Sequence, residues 1–296
     1  VHAIGAALDD AGLAWQDVEF LAAGETVRNG YPGYVAASSF SQAMGFRGIP
    51  IASCYAACAS GTQAIEAART RILAGLCDVA VVAGADTTPK GFLAPNKGER
   101  QLDPDWLRFR LLGATNPTYF GLYARRRMEL YGAEERDFAR VKAKNSRVGA
   151  TNPNARYKKV FSEEEVLASA LVADPLRLFE ICATSDGGAA LVLTSLDFAR
   201  RHATDFVRIA GVSTVTPTYP NVVIDMPNFA TDSAAGLPVP DRGFKDSIAF
   251  AAYEQAGLGP EDMSLAEVYD LSSALELDWY EEIGLCKRGE AERLLR

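Results

Sequence analysis

Cys58 is the side chain of this sequence best suited to nucleophilic chemistry. It lies between an apolar stretch at 50–54 and a helix-forming stretch, and the next residues, Ala59-Ser60-Gly61, permit a tight turn and a close backbone approach. A thiol at a helix N-terminus meets the positive end of the helix dipole, which favours the thiolate, and nearby backbone N–H groups can hold an oxyanion. The alternative is a small cysteine of the core, where this residue type is common.

Tyr269 is unremarkable within its own segment, although its phenol could transfer protons. It lies at the end of an expected strand in the segment Glu267-Val268-Tyr269-Asp270. A phenol both donates and accepts, so it can pass a proton to or from an alcohol oxygen. The alternative is an ordinary half-buried tyrosine of a strand. Asp270 points to the other face of that strand and is interpreted as structural.

Histidine and metal chemistry have little support. The chain has two histidines, His2 near its start and His202 at the end of an expected helix, where a cation is commonly found. Cys54 and Cys58 have helical spacing but no histidine near them, so no metal site is predicted. The sequence also has no Gly-x-Gly-x-x-Gly or Walker pattern for a nucleotide.

Two basic clusters, 125–127 and 156–159, stand out against a net charge of −8. Arg125, Arg126 and Lys158 are the candidates for contacts with phosphate groups of a ligand. A solvated helix face and an exposed loop are the alternative interpretation.

The elements around Cys58 predict a parallel βαβ unit. A short strand at 50–54 leads into a helix at 58–76 and then into a continuous apolar strand at 78–84, a pattern typical of strands buried on both faces. A polar excursion at 87–174 follows, which predicts a lid or substrate-binding region. Its expected elements are helices at about 117–132 and 134–148 and a capping box at Ser162, after which a strand at 187–193, a helix at 195–202 and a strand at 206–212 follow.

Composition excludes several classes of protein. At 296 residues and 48% hydrophobic residues, the chain can form a large core. The acidic balance argues against nucleic acid as the main partner. No apolar run of the length of a membrane helix occurs, the start lacks a secretion signal, and the five cysteines are odd in number. These features favour a reducing, cytoplasmic setting.

An internal repeat divides the chain. Residues 6–17 align without gaps on 251–262, with six of the twelve positions identical, and both copies close a helix with Ala-Gly-Leu. The predicted halves are 1–203, which includes the excursion, and 204–296. We expect the second copy to be incomplete at its C-terminus, because little chain follows its strand.

Several motifs carry a resemblance to a known family. The segment 58–65 (CASGTQAI) resembles the nucleophile motif of thiolases. The similarity extends to the sterol-carrier-protein-x and lipid-transfer-protein branch through 120–125, 174–178, 185–192, 267–270 and 280–286. It implies an α/β, thiolase-like fold in which two βαβαβαββ halves stack as αβαβα layers.

One departure from that family directs the functional prediction. Where thiolases of this branch have an active-site histidine, this chain has Tyr269. The substitution resembles the aldolases of the branch, which cleave steroid side-chain CoA thioesters. The resemblance therefore implies a carbon–carbon lyase that cleaves a β-hydroxyacyl-CoA by a retro-aldol reaction, with Tyr269 and Cys58 in the site. A degradative thiolase acting through Cys58 and a non-enzymatic lipid or acyl-CoA carrier are the alternatives.

The resemblance also implies partners. Coenzyme A enters as part of the substrate, and no other bound cofactor is expected. Arg125, Arg126 and Lys158 are then the candidates for contacts with its phosphates. Relatives suggest a homodimer and a separate OB-fold acyl-CoA-binding protein.

Overall fold

A computed structural model describes residues 1–28, 31–88, 116–203, 205–217 and 243–296. The chain forms two compact units. The first unit is Val1–Lys90 with Thr184–Thr214, and the second unit is Gly91–Ala183 with Val215–Arg296. Part of the predicted excursion, 89–115, lies outside the described residues. The predicted division of the chain at 203/204 follows the repeat rather than these contacts, and it stays a prediction.

The elements alternate between helix and strand in the first part of the chain and become helical later. The helices are α1 (His2–Asp10), α2 (Ala36–Met44), α3 (Ser60–Leu73), α4 (Asn116–Tyr131), α5 (Glu135–Gly149), α6 (Glu163–Leu167), α7 (Leu196–His202), α8 (Phe250–Ala256), α9 (Ser273–Glu282) and α10 (Ala291–Leu295). The strands are β1 (Phe20–Gly24), β2 (Val27–Arg28), β3 (Tyr31–Pro32), β4 (Ile51–Cys54), β5 (Val79–Asp86), β6 (Leu171–Ala173), β7 (Leu176–Arg177) and β8 (Gly187–Thr194).

The first unit is built on a four-stranded sheet of order β4-β1-β5-β8. Strands β4, β1 and β5 are parallel, and β8 runs antiparallel to β5. The chain crosses from β4 over β1 to β5 through α3, so the predicted parallel unit is confirmed. The helix begins at Ser60 and ends at Leu73, which is shorter at both ends than the predicted 58–76.

Both faces of this sheet are covered. Phe20 and Ala22 pack with Ala64 of α3, whereas Leu21 packs with Ile4 of α1 on the opposite face. Side chains of a strand alternate between faces, so a strand between two helical layers must be apolar at every position. Burial on both faces therefore explains why the sequence of β5 is a continuous apolar run.

The second unit is mainly helical. Helices α4, α5, α9 and α10 enclose a core around Phe120, Phe138 and Leu275. The predicted helices at 117–132 and 134–148 are confirmed as α4 and α5. The predicted capping box is also present: the Glu165 N–H donates to Ser162 Oγ at 3.1 Å, and the Ser162 N–H donates to the Glu165 carboxylate at 2.9 Å.

The internal repeat has the same local structure in both copies. Helices α1 and α8 are followed by Gly12 and Gly257 with φ of 64° and 68°, the left-handed conformation that glycine adopts without strain. A 3₁₀ turn comes next in each copy. The carboxylate of its last residue, Asp17 or Asp262, accepts the backbone N–H of the residue three positions earlier, Ala14 or Gly259, at 2.8 Å.

The two copies differ in the strand that should follow. In the first copy β1 lies between β4 and β5. In the second copy the predicted strand near Tyr269 is wrong, since 264–270 belongs to no strand. The predicted strand at 206–212 is wrong for the same reason. A strand is stabilised by ladder hydrogen bonds to its neighbours. The described residues also contain two two-stranded sheets, β2-β3 and β6-β7, but neither pairs with 206–212 or 264–270.

The structure also bears on membrane insertion. None of the helices within the described residues is long and apolar enough to cross a bilayer.

Candidate active site

Cys58 lies on the turn between β4 and α3. Ala57, directly before it, has φ 47°, a left-handed conformation that is rare for a residue with a Cβ. The turn carries Cys58 to the surface, where its side chain is exposed. This exposure contradicts the alternative in which Cys58 is a core cysteine.

Hydrogen bonds from Ser60 and Thr26 hold this turn. Ser60 Oγ donates to the Ala57 carbonyl at 2.7 Å and accepts the Ala56 N–H at 2.9 Å. Thr26 Oγ1 donates to the same Ala57 carbonyl at 3.0 Å. The strained backbone at Ala57 is therefore fixed by two hydroxyl groups.

The close backbone approach expected at Gly61 occurs at Gly24 instead. Gly61 lies in the first turn of α3, and a Cβ there would meet nothing within 4 Å. A Cβ at Gly24, the last residue of β1, would lie 2.9 Å from the backbone carbon of Ser60. The turn thus depends on a glycine that is far away in sequence, and the local motif contained no signal for it.

The position of this turn in the sheet favours ligand binding. The parallel strands β1, β4 and β5 end at Gly24, Cys54 and Asp86, and the Thr26 N–H donates to the Asp86 carboxylate at 2.8 Å. Ligands of open α/β sheets bind at the carboxyl ends of parallel strands. The N-terminus of α3 points its dipole and its first N–H groups to the same end.

Both histidines lie on other helices. The His202 ring stacks on Phe198 with centroids 4.1 Å apart, and its Nδ1 is 3.0 Å from the Phe198 carbonyl. His2 is exposed at the first position of α1, which covers the sheet face opposite to α3. The interpretation of His202 as an exposed residue at a helix end is confirmed.

Tyr269 lies in the second unit, in irregular chain, with 48% of its side chain exposed. The backbone just after it is anchored, because the Cys182 N–H donates to the Leu271 carbonyl at 3.1 Å. Ser272 is fully buried and caps α9 by accepting the Leu275 N–H at 3.3 Å. The phenol is therefore accessible while the segment that carries it is attached to a buried helix start.

Asp270 belongs to the electrostatics of the second unit. Burial lowers the pKa of Lys142, and the negative charges of Asp270 and Glu276 oppose that shift. The ammonium of Lys142 also lies 4.6 Å from the centre of the Tyr157 ring. Asp270 itself is exposed, and the strand on which its structural interpretation was based is not formed, so that interpretation stays a prediction.

The two predicted catalytic residues thus lie in different compact units, Cys58 in the first and Tyr269 in the second.

The predicted phosphate-binding residues have different environments. Arg125 pairs with Asp174 through its Nε at 2.8 Å, and Arg126 pairs with Glu129 at 3.0 Å. Lys158 is exposed in the loop before α6. Their role toward coenzyme A stays a prediction.

Arg127, the third arginine of that run, is part of the interior. Its side chain is 1% exposed and donates to Glu292 at 2.7 Å and to Glu281 at 2.5 Å. Burial acts to lower the pKa of Arg127, but the hydrogen bonds to Glu292 and Glu281 and the negative charge of Glu281 outweigh it, so the pKa is raised. In the sequence Arg127 belongs to the same basic cluster as Arg125 and Arg126, and its burial cannot be predicted there because its acidic partners are more than 150 residues away.

A second buried polar cluster centres on Glu276 of α9. Its carboxylate is fully buried and accepts Lys144 Nζ at 2.6 Å, Asn145 Nδ2 at 2.5 Å and the Tyr280 hydroxyl at 2.5 Å. Burial, together with the Glu276 charge, raises the pKa of Tyr280. A carboxylate with three donors is a stable solution for a charged group in a core.

Comparisons with known proteins identify the family. The thiolase N-terminal domain family matches residues 1–197, and the thiolase C-terminal domain-like family matches residues 241–296. The chain belongs to the thiolase family. The thiolase-like α/β fold class and the sterol-carrier-protein-x and lipid-transfer-protein branch predicted from the motifs are confirmed.

Two curated relatives illustrate this membership. Sterol carrier protein 2 of Gallus gallus is 30% identical over 293 residues, which cover 96% of this chain and 52% of that protein. Benzoylsuccinyl-CoA thiolase subunit BbsB of Thauera aromatica is 30% identical over 272 residues, or 91% of this chain and 66% of that protein. The chain spans about half the length of the sterol carrier proteins it matches.

Two solved structures share the fold. The Ltp2-ChsH2(DUF35) aldolase matches with a TM-score of 0.72 and 26% identity, covering 99% of this chain and 72% of that one. A monomeric SCP2-thiolase like protein of Mycobacterium smegmatis matches with a TM-score of 0.64 and 20% identity, covering 95% and 57%.

Proposed function

We propose that this thiolase-family protein cleaves a β-hydroxyacyl-CoA, of the steroid side-chain type, into a ketone and a shorter acyl-CoA. The observation that carries the proposal is Tyr269, a half-exposed phenol at the position where the motifs of related thiolases have a histidine. The similarity to an aldolase over 99% of the chain supports it further. A retro-aldol reaction needs a proton relay at an alcohol, which a phenol can supply.

The proposed chemistry assigns one role to each residue. Tyr269 accepts the proton of the β-hydroxyl as it passes its own proton to solvent water, which returns a proton to the α carbon in the last step. The bond between the α and β carbons then breaks, the β carbon becomes the ketone, and the electron pair moves into the thioester enolate. Backbone N–H groups of the Cys58 turn stabilise the enolate oxygen. Protonation of the α carbon gives the shorter acyl-CoA, so neither water nor free coenzyme A is consumed.

A degradative thiolase is the second candidate, and the exposure of Cys58 favours it. A thiol on a strained turn before a helix N-terminus is suited to accept an acyl group. In that reaction Cys58 attacks the β-keto carbonyl of a β-ketoacyl-CoA, and the bond between the α and β carbons breaks to release a short acyl-CoA. Free coenzyme A then takes the remaining acyl group from Cys58. Free coenzyme A is then required, which separates this reaction from the retro-aldol cleavage.

The test is product analysis by mass spectrometry with a panel of β-hydroxyacyl-CoAs and no added coenzyme A. We expect a free ketone and a shortened acyl-CoA, and a loss of turnover of about 100-fold or more in Tyr269→Phe. Tyr34→Phe, which removes the hydroxyl of another exposed tyrosine, is the matched control and should keep full activity. With a β-ketoacyl-CoA as the substrate, activity that survives Tyr269→Phe, requires coenzyme A and disappears in Cys58→Ser would establish the thiolase instead.

The proposed partners follow from the same relationship. We propose a homodimer and an OB-fold acyl-CoA-binding partner, and the related aldolase is named as a complex with ChsH2(DUF35). Arg125, Arg126 and Lys158 are proposed to contact the phosphates of the substrate. Native mass spectrometry of the protein purified from its source would show a monomer, without a second protein, if the assembly is wrong.

A further inference from the structure

The second unit contains a cleft of about 830 Å³ beside the C-terminal end of α9. One part of its wall is apolar, formed by Phe244, Pro260 and Leu285. The rest is charged, with the acidic residues Glu261, Asp278, Glu281, Glu282 and Glu290 and the basic residues Lys287 and Arg288. Its size lies within the range of sites for small organic ligands.

Asp278 is the distinctive group of this wall. Its side chain is 7% exposed, and its Oδ1 lies 3.9 Å from Arg127. Its Oδ2 is buried and has no hydrogen-bond partner among the described residues. An unsatisfied carboxylate oxygen is unfavourable, and a donor from a ligand would satisfy it.

The basic residues of the wall do not compensate for this charge. Arg288 Nε donates to the Tyr131 hydroxyl of α4 at 3.0 Å, and Lys287 is exposed. The carboxylate of Glu281 accepts both Nη atoms of Arg127. Glu290 pairs with Arg293 at 2.8 Å. Asp278, Glu261 and Glu282 are the other acidic side chains that line the cleft.

The arrangement favours an organic cation over a metal ion. Among the described residues no group of three or more His, Cys, Asp or Glu side chains could hold a metal. The acidic groups are distributed along the wall, and the apolar part would pack against an alkyl chain. The Phe244 ring adds a surface for a cation–π contact.

We propose that this cleft binds a linear organic polycation of the polyamine type. One ammonium donates to Asp278, a second lies near Glu261 and Glu282, and the alkyl segment between them packs on Phe244 and Pro260. Lysine side chains of another protein have the same chemistry, so free polyamine and basic peptide are the two sources to separate.

Binding should depend on pH. Burial raises the pKa of Asp278 to about 7, while the Tyr123 hydrogen bond and the Arg127 charge lower it. A protonated Asp278 offers no negative charge, so affinity should rise as the pH increases from 6 to 8. The titratable or charged groups that face Asp278 are Tyr123 and Arg127 of α4 and Glu281 and Glu282 of α9, and those of the rest of the wall are Glu261, Cys286, Lys287, Arg288 and Glu290.

The experiment is isothermal titration calorimetry of the full chain with spermidine, with trilysine and with magnesium chloride, all at matched ionic strength. We expect saturable binding of one spermidine or trilysine, weakened about tenfold by Asp278→Asn. Glu261→Lys should weaken it by a similar factor and, because Glu261 is exposed, tests the cleft if Asp278→Asn fails to fold. Asp9→Asn removes an exposed carboxylate of α1 in the first unit and should leave the affinity unchanged.

The outcomes separate the alternatives. Binding of spermidine alone supports a free polyamine, and binding of trilysine alone supports a basic segment of another protein. No saturable binding, equal binding by all variants, or equal binding of magnesium would overturn the proposal.

Discussion

The two units bury different kinds of side chain. Around the sheet of the first unit the interior is mostly apolar, and Leu21, Ala22 and Val81 are fully buried. The second unit has an apolar core too, but it also buries Arg127 and Glu276. Substitutions that change side-chain volume should therefore destabilise the first unit, and substitutions that remove a buried charge should destabilise the second unit. The contrast predicts which substitutions each unit tolerates.

Removing the buried cation of the second unit should have the largest effect. Arg127→Met keeps much of the volume but leaves Glu281 and Glu292 buried without their partner. Breaking a buried ion pair in this way costs about 3–5 kcal/mol. Urea denaturation, with hydrogen exchange in α4 and α9 to locate the effect, would measure it.

Arg126→Met is the matched control on the same helix. Its partner Glu129 is largely exposed, so the loss should stay below about 1 kcal/mol. If Arg127→Met and Arg126→Met lowered the free energy of unfolding by the same amount, the burial of charged side chains would not explain the difference between the two units.

The second prediction concerns pH. Burial raises the pKa values of Glu180 and Asp278 to about 7, above the values these carboxyls have in an unfolded chain. The folded state therefore binds more protons between about pH 4 and 7. The stabilisation from these groups is complete near pH 4 and decreases as the pH rises to about 7, by about 3–4 kcal/mol for each group.

Thermal unfolding between pH 5 and 8 would measure this slope. Glu180→Gln and Asp278→Asn should each flatten it, since an amide does not titrate in this range. Asp9→Asn, which changes an exposed carboxylate of the first unit, should leave the slope unchanged. A slope that persists in both variants would assign the pH dependence to other groups.

The smallest loss of stability is expected in the first unit, from the addition of one methyl group. Gly24→Ala would place a Cβ 2.9 Å from the backbone of Ser60, so β1 or the start of α3 must shift. Overpacking of this kind costs about 1–2 kcal/mol. Chemical denaturation measures the loss, and the rate of Cys58 alkylation by iodoacetamide reports the displaced turn.

Gly5→Ala is the control for that substitution. Gly5 lies within α1, and a Cβ there meets nothing within 4 Å. Alanine should therefore stabilise the helix by about 0.5–1 kcal/mol. If Gly24→Ala lowers the free energy of unfolding and Gly5→Ala raises it, the close contact at Gly24, and not helix or strand propensity, determines the effect of the added Cβ.

Much of the fold was predictable because its signals are local. The apolar run of β5, the capping box at Ser162 and the glycine after α8 each act through neighbours within a few residues. The predicted strand near Tyr269 failed because a strand also needs a neighbour in the sheet. The close approach of Gly24 to the backbone of Ser60 could not be predicted from the sequence, since these two residues become neighbours only in the folded chain.

The sequence by itself determined the elements, the repeat and the family, because periodicity, caps and motifs are properties of adjacent residues. Tertiary structure decided that Cys58 is exposed on a strained turn and that Arg127 is buried while Arg125 and Arg126 are not. Three consecutive arginines share one chemistry and one helix, and only packing against distant carboxylates gives them different environments. The physical reason is that burial and pairing depend on which remote segments meet, and these segments meet only in the folded chain.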